Sequence, residues 1–283
     1  MMIHRLRRVF LALLAGTAVA AAGPMLYSIT SLDGGDFSLS SISPAGQLNM
    51  LFPLGAGFTG GLAFDPSSNL FYAVSSDENA ASTLNSISWT GEVTPLFSLG
   101  YGFFGGLAYA GAPGTFYAIG GDANGVQRSL YSISLAGGGS ATLIEDLEDG
   151  SLSYDGGLAY AGGLYVIGSD GAHWGVYSYP PMVTAIELGG MFRSVFFPAA
   201  GGLAHDPVAD SWWALAIDNQ TLAPRLVNFN SSAPISTFSL SSGPTGLTFA
   251  EDLSGGPGNV PEPGSALLFA LGLVAILVLR RRA

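Results

Sequence analysis

The chain has no cysteine, and that one absence closes off several chemistries. Without a thiol there is no disulfide framework, no thiolate metal centre and no cysteine nucleophile. Lysine is missing too, so all nine positive charges are arginines. Six of them sit at the two ends, as Arg5, Arg7, Arg8, Arg280, Arg281 and Arg282. The body between them keeps Arg128, Arg193 and Arg225 against nineteen acids, a formal charge of −16. Such a surface repels phosphate backbones, which excludes nucleic acid as a partner and suits divalent cations and neutral or cationic ligands better. Catalytic signatures are scarce as well: no G-x-S-x-G elbow, phosphate-binding loop or H-E-x-x-H pair occurs anywhere in the 283 residues.

What the chain has in abundance is glycine, 41 residues, together with serine, threonine and aromatics. That profile belongs to many short strands joined by tight turns, not to helical bundles. The length allows one domain of about 230 residues between two targeting ends. At the N-terminus, MMIHRLRR, VFLALLAGTAVA and AAG give a basic stretch, a short apolar run and a small-residue cleavage site. These are the parts of a secretory signal peptide over residues 1–22, the other reading being a retained membrane helix. At the C-terminus, a Pro-Glu-Pro turn (Pro261, Glu262, Pro263) follows Val260 and precedes an apolar run from Ala266 to Leu279 and the Arg280–Arg282 cluster. Fourteen residues at about 1.5 Å each span about 21 Å, short of a hydrocarbon core of about 30 Å. The arginines would stay cytoplasmic and leave the body outside.

This tripartite tail, residues 260–283, resembles the PEP-CTERM sorting signal of exported proteins in Gram-negative bacteria that make extracellular polysaccharide. The resemblance implies that an exosortase, an integral membrane enzyme, recognises Val260 to Pro263 and processes a tail held transiently in the inner membrane by a transmembrane helix. An ordinary C-terminal membrane helix is the alternative. Residues 253–259 read as a flexible linker, part of a tether EDLSGGPGNV that leads from the body to the tail.

The body, residues 24–252, repeats itself. GGLA occurs at Gly60, Gly105, Gly156 and Gly201, with a degenerate Thr245-Gly246-Leu247-Thr248 further on. The second glycine steps from 61 to 106, 157, 202 and 246, a period near 45 that is the mark of β-propeller blades. After each GGLA strand come an aromatic strand, a third strand and a more apolar fourth, with turn residues between them. The ends are out of phase. The body opens on a second strand (Leu26 to Ile29) and finishes on a first (Gly246 to Phe249), so joining them completes a fifth blade. The fold class expected is all-β, a five-bladed β-propeller closed by its C-terminal strand and flanked by a signal-peptide helix and a transmembrane helix. The order GLAFD, aromatic strand, L-x-S-I-S resembles the NHL-like class of propeller repeats, which implies architecture only.

Two sets of residues could carry chemistry. Each second strand ends in aspartate, Asp33, Asp77, Asp122, Asp170 and Asp218, a ring that could attract Ca²⁺ or could simply cap the following turns. The same face carries Phe58, Tyr101, Phe103, Phe104, Tyr154, Phe192, Phe196 and Phe197, rings that could stack on sugars or cover the gaps between blades. His205 occupies the slot of Phe64, Tyr109, Tyr160 and Phe249 and reads as a packing ring with a polar handle; neither it nor His173 suffices for a Zn²⁺ centre. The function expected is that of an exported, surface- or matrix-associated propeller, a non-enzymatic structural or binding module whose partners are an exosortase and extracellular polysaccharide. The alternative is a secreted propeller hydrolase of glycans or lactones, with Ca²⁺ as its only candidate cofactor.

Overall fold

The computed structural model describes residues 25–31, 35–43, 46–121, 128–147, 153–169, 174–179, 183–187, 192–193, 202–218, 224–230, 234–239 and 244–250. The leader, the linker and the tail all lie outside them. Along the chain run β1 (Met25–Ser31), β2 (Asp36–Ile42), β3 (Leu48–Ala56), β4 (Leu62–Asp65), β5 (Leu70–Ser76), β6 (Ala81–Ile87) and β7 (Val93–Tyr101). They are followed by β8 (Leu107–Tyr109), β9 (Thr115–Gly121), β10 (Arg128–Ser134), β11 (Ser140–Asp146), β12 (Ser153–Tyr160), β13 (Leu164–Ser169), β14 (Trp174–Tyr179) and β15 (Val183–Glu187). The last six are β16 (Phe192–Arg193), β17 (Leu203–Asp206), β18 (Ser211–Asp218), β19 (Pro224–Phe229), β20 (Pro234–Ser239) and β21 (Pro244–Ala250).

Antiparallel pairing sorts these strands into five sheets. Blade I is β21-β1-β2-β3, blade II β4 to β7, blade III β8 to β11, blade IV β12 to β15, and blade V has β17 and β16 beside β18, then β19 and β20. Blade I is the split unit: β1 pairs with β21 from Met25 opposite Ala250 to Ile29 opposite Gly246. Both ends of the body therefore share one sheet, as the phase of the repeat requires. The inner strands β4, β8, β12, β17 and β21 each pack against the next, and β21 against β4 closes the ring.

The turns are specified locally. Ser88 Oγ accepts from the N–H groups of Thr90 and Glu92 while Gly91 takes φ +81°, and Ser43 Oγ accepts from Gln47 N–H with Gly46 at φ +77°. The repeated Ser-x-x-Gly after the third strand is thus a turn that its own side chain fastens. Asp65 plays the same part after β4, accepting from Ser67 N–H at 2.8 Å while Asn69 adopts φ +56°.

The hydrophobic core is not one mass but five clusters, one per blade interface. Tyr27, Ile29 and Leu39 of blade I meet Leu62, Phe64 and Phe71 of blade II. Tyr72, Val74 and Leu84 meet Leu107, Phe116 and Ile133 of blade III. Ala108, Ile119 and Leu130 meet Leu158, Val166 and Tyr177 of blade IV. Ile167 and Val176 meet Leu203, Trp212 and Val227 of blade V. Leu215 and Leu226 meet Leu26, Ile42 and Leu247 of blade I. The strand alternation explains the arrangement: Leu26 faces one neighbour, Tyr27 the other.

What draws the blades together at the axis is the paired glycine. A Cβ on Gly61 would fall on the backbone nitrogen of Leu107 in the next blade, and Gly61 N–H donates to Gly105 C=O at 2.8 Å. On Gly246 a Cβ would lie 2.9 Å from Leu62 N, and on Gly202 2.5 Å from Leu247 Cβ. The preceding glycine serves another contact: a Cβ at Gly60 or Gly105 would press into Val74 or Ile119 of its own second strand. In blade II GG is therefore required twice over, once for the neighbouring blade and once within the blade, whereas in blade IV the second glycine, Gly157, meets Ile167 of its own blade.

Two features depart from the expected four plain strands. A β-bulge recurs in every outer strand, placing Leu51, Leu96, Ile144 and Ala185 out of register at one equivalent point and Ile235 two residues further along the third strand. Bulges together with Pro53 and Pro95 disrupt the edge ladder that an outer strand would otherwise offer to another chain. In blade V, β16 pairs with Ile217 and Asp218 at the far end of β18, so two separate segments border that strand on its inner side.

Replacing Gly61 by alanine is expected to cost about 3 kcal/mol or more, because backbone atoms must move apart at the axis. Gly163→Ala, whose Cβ would meet only Tyr165 at 3.8 Å, should change stability by no more than about 0.5 kcal/mol. Chemical denaturation of the two variants beside the parent checks this, and equal midpoints for all three would refute the axial role.

Candidate functional site

The face on which the inner strands begin is the one that the aspartates and loop aromatics were expected to furnish. Asp77 follows β5 there, and its Oδ1 accepts from Asn79 N–H and Ala81 N–H, each at 2.9 Å. It caps its own turn. Asp218 ends β18 opposite Phe192. Asp33, Asp122 and Asp170 lie outside the described residues. Among the described residues no group of three or more histidines or acids is placed to hold a metal ion.

The aromatics of that face divide. Phe58 and Phe103, which from the sequence could either stack on a ligand or cover the gaps between blades, are interior, 4% and 2% exposed. Phe103 packs on Tyr131 with ring centroids 4.8 Å apart, and its N–H donates to Ser82 Oγ. Phe58 belongs to the core between blades I and II. Both reach inward because the loops carrying them must seal the gap between blades, which is the packing alternative. Phe104 is half-buried and Tyr101 is 55% exposed. Tyr154 pairs with Gly168 within β12 and Phe192 lies in β16, while Phe196, Phe197 and His173 lie outside the described residues, as do Val260 to Pro263 and Arg280 to Arg282.

The opposite face, where the inner strands end, holds the cavity. It measures about 270 Å³ and surrounds the axis; Phe64, Tyr109, Tyr160, His205 and Thr248 line it, one from each inner strand. Near the paired glycines the strands touch, and towards their far ends they diverge, which opens a funnel. Its deeper wall is aliphatic, with Leu107, Leu158, Leu203 and Leu247. Tyr160 is 38% exposed there, and Tyr117 lies 6.2 Å from it, with the rings inclined at 30°.

Acids follow two of these strand ends. Asp65 is buried, yet its Oδ1 accepts from Ser67 Oγ at 2.6 Å as well as from Ser67 N–H, and its Oδ2 accepts from Gly114 N–H of blade III at 3.2 Å. Burial disfavours the ionised form, but the hydrogen bonds from Ser67 and Gly114 outweigh it and hold the carboxyl below the ordinary aspartate value of 3.8. Burial, and then the charge of Asp65, push the Tyr109 phenol above its ordinary 10.0. Asp206 repeats the turn in blade V, accepting from Val208 and Ala209 N–H. Both carboxylates are committed to turns.

His205 is different. Its Nε2 lies 3.2 Å from Asp210 Oδ1, and its ring packs on Trp212 at 4.6 Å. A carboxylate only accepts, so Nε2 carries the hydrogen. The sequence placed His205 correctly in the aromatic slot but offered no sign that the slot opens on a cavity. The signal available was its place at the end of the innermost strand, where strands that touch at GG must spread.

Residues 259–282 match the family model described as the PEP-CTERM protein-sorting motif. That motif implies export, membrane-anchored transit to the cell surface and processing by an exosortase-type membrane enzyme. No curated protein matches the chain. Among solved structures it is similar to one in a nidogen/laminin complex (14% identity, 81% of this chain and 98% of that one, TM-score 0.49). It is similar also to a putative TolB from Agrobacterium tumefaciens (15%, 78% and 83%, 0.48) and a putative 6-phosphogluconolactonase from Bacteroides fragilis (10%, 83% and 99%, 0.45). At such identities none of them assigns a function to this chain.

The hydrogen bonds at Asp65 tie blade II to blade III, and their contribution has a definite pH dependence. With its folded pKa depressed, Asp65 stabilises the fold fully above its unfolded pKa and loses that contribution as pH falls through the folded value. Asp65→Asn is expected to cost about 1–3 kcal/mol at neutral pH. The gap between parent and variant should narrow below about pH 4. Thermal melts of both proteins from neutral pH to pH 2 check this, and a gap independent of pH would contradict it.

Proposed function

We propose that this is an exported, exosortase-sorted propeller that acts at the cell surface or in the extracellular matrix as a non-enzymatic module, binding extracellular polysaccharide through its axial funnel. The observation that carries the reading is the sorting motif at residues 259–282, which supports delivery of a folded body to the outside of the cell. The leader with its basic, apolar and small-residue parts agrees with export, and the acidic body agrees with a neutral ligand. Binding suits a funnel walled by rings and leucines; the nearby acids Asp65 and Asp206 are not among its lining residues, and each uses Oδ1 to accept from N–H groups of its own turn. Val260, Pro261, Glu262 and Pro263 are the recognition residues in this reading, and Arg280, Arg281 and Arg282 hold the tail on the cytoplasmic side.

The test uses the full chain in a Gram-negative host that makes polysaccharide and has an exosortase. The parent is expected to lose its tail and co-sediment with the polysaccharide. Replacement of Pro261, Glu262 and Pro263 by alanine, or removal of the exosortase, should leave the protein uncut in the inner-membrane fraction. Unchanged delivery in either case would defeat the sorting reading. Release of new reducing ends or lactone opening by the secreted parent, with or without Ca²⁺, would replace the binding module by the hydrolase.

A further inference from the structure

Comparing the blades with one another isolates one departure from the repeat. Blade II turns from inner to second strand through Phe64-Asp65-Pro66-Ser67-Ser68-Asn69, and blade V through His205-Asp206-Pro207-Val208-Ala209-Asp210. The two turns share the aspartate, the proline and the left-handed last residue, Asn69 at φ +56° and Asp210 at φ +47°. Asn69 uses its side-chain oxygen to accept from Trp89 Nε1–H. In blade V both positions have changed at once. Phe64 becomes His205 and Asn69 becomes Asp210, and the two new side chains meet each other at 3.2 Å. A packing role needs neither change, since phenylalanine already fills the slot in blade II.

We propose that His205 and Asp210 form the polar anchor of the funnel and that its ligand is the end of a neutral sugar chain. This rests on the glycan-binding reading above. Nε2–H is committed to Asp210 Oδ1, which leaves Asp210 Oδ2 to accept and His205 Nδ1 as the pair's other polar atom. Among the described residues neither atom has a further hydrogen-bond partner. His205, 16% exposed, lines the cavity, and Asp210, 93% exposed and not a lining residue, holds the imidazole from outside. Oδ2 accepts from a hydroxyl, and Nδ1 is a second polar atom that a hydroxyl of a sugar can meet.

The remainder of the funnel fits the same ligand. Tyr160 and Tyr109 offer aromatic faces with hydroxyl edges, and the leucines behind them are dry. Ligand pockets generally run from about 300 to 1,000 Å³, so a cavity of about 270 Å³ is sized for one sugar unit at a time. Charge selects among sugars. The pair presents acceptors and a carboxylate, and the body carries a formal −16, so a uronic acid would be repelled. The same charge would draw a protonated amino sugar, so the glucosamine chain is the competitor that the experiment must include.

The experiment is titration calorimetry on the full chain, kept in a detergent without a sugar headgroup. The probes are a gluco- and a manno-hexasaccharide, each against its glucuronic-acid and glucosamine counterparts of equal length. His205→Phe and Asp210→Asn restore residues that blade II already accommodates, so both variants should melt like the parent. Binding of a neutral hexasaccharide, weakened about tenfold or more in each variant, is the result expected. Neutral sugars bound equally by parent and variants would overturn the anchor while leaving the glycan reading intact. Tighter binding of the glucosamine or glucuronic-acid chain would overturn the ligand class. No binding of any probe would overturn both readings together.

Discussion

Five inner strands can surround an axis only if their backbones come close enough for side chains beyond the axis to interlock, and here that distance is set by glycine. At Gly61, Gly202 and Gly246 the missing Cβ is the space that the next blade's leucine occupies. Once the strands are in place, Leu62, Leu107, Leu158, Leu203 and Leu247 enter the five interblade cores, and the aromatic second strands stack outside them. A wider axis would loosen all five cores at once, since each blade is held by its two neighbours. The constraint is geometric, and the hydrophobic effect supplies the energy.

The same closeness shapes the cavity. Strands pinned at their glycine ends diverge towards their far ends, so the residue after Leu-Ala in blades II to V lines a small funnel, with Thr248 contributed by blade I. That slot carries a ring in blades II, III and IV and an imidazole in blade V. Architecture and site are consequences of one contact, and in blade II the turn acid that follows the slot, Asp65, reinforces it by accepting from Gly114 of the next blade.

Much of this is legible in the sequence because the period is strong. Each GGLA marks an inner strand, and the missing first strand at the start of the body and the spare one at its end define the split blade. Strand β1, marked in the sequence by Leu26 to Ile29, runs from Met25 to Ser31, since hydrogen bonding continues into polar turn-flanking positions. The bulges at Leu51, Leu96 and Ile144 leave no trace, as an apolar residue squeezed out of register reads like any other strand residue. Phe58 and Phe103 illustrate the converse: a ring in a glycine-rich loop looks exposed until the loop is seen folded down over an interblade gap. The funnel is not legible in the sequence because alternation records which residues avoid water, not where neighbouring strands spread apart.

The central claim is that the first and last strands of the body are partners in one sheet, and amide hydrogen exchange measures that directly. In the intact chain the amides of Leu26 to Ile29 should exchange as slowly as those of Phe116 to Ile119, which lie in the corresponding strand of blade III. Without residues 244–250, alternate amides of the first segment lose their acceptors and should exchange about a hundredfold faster or more. Equal protection of Leu26 to Ile29 in both proteins would mean that the ring is not closed by its last strand.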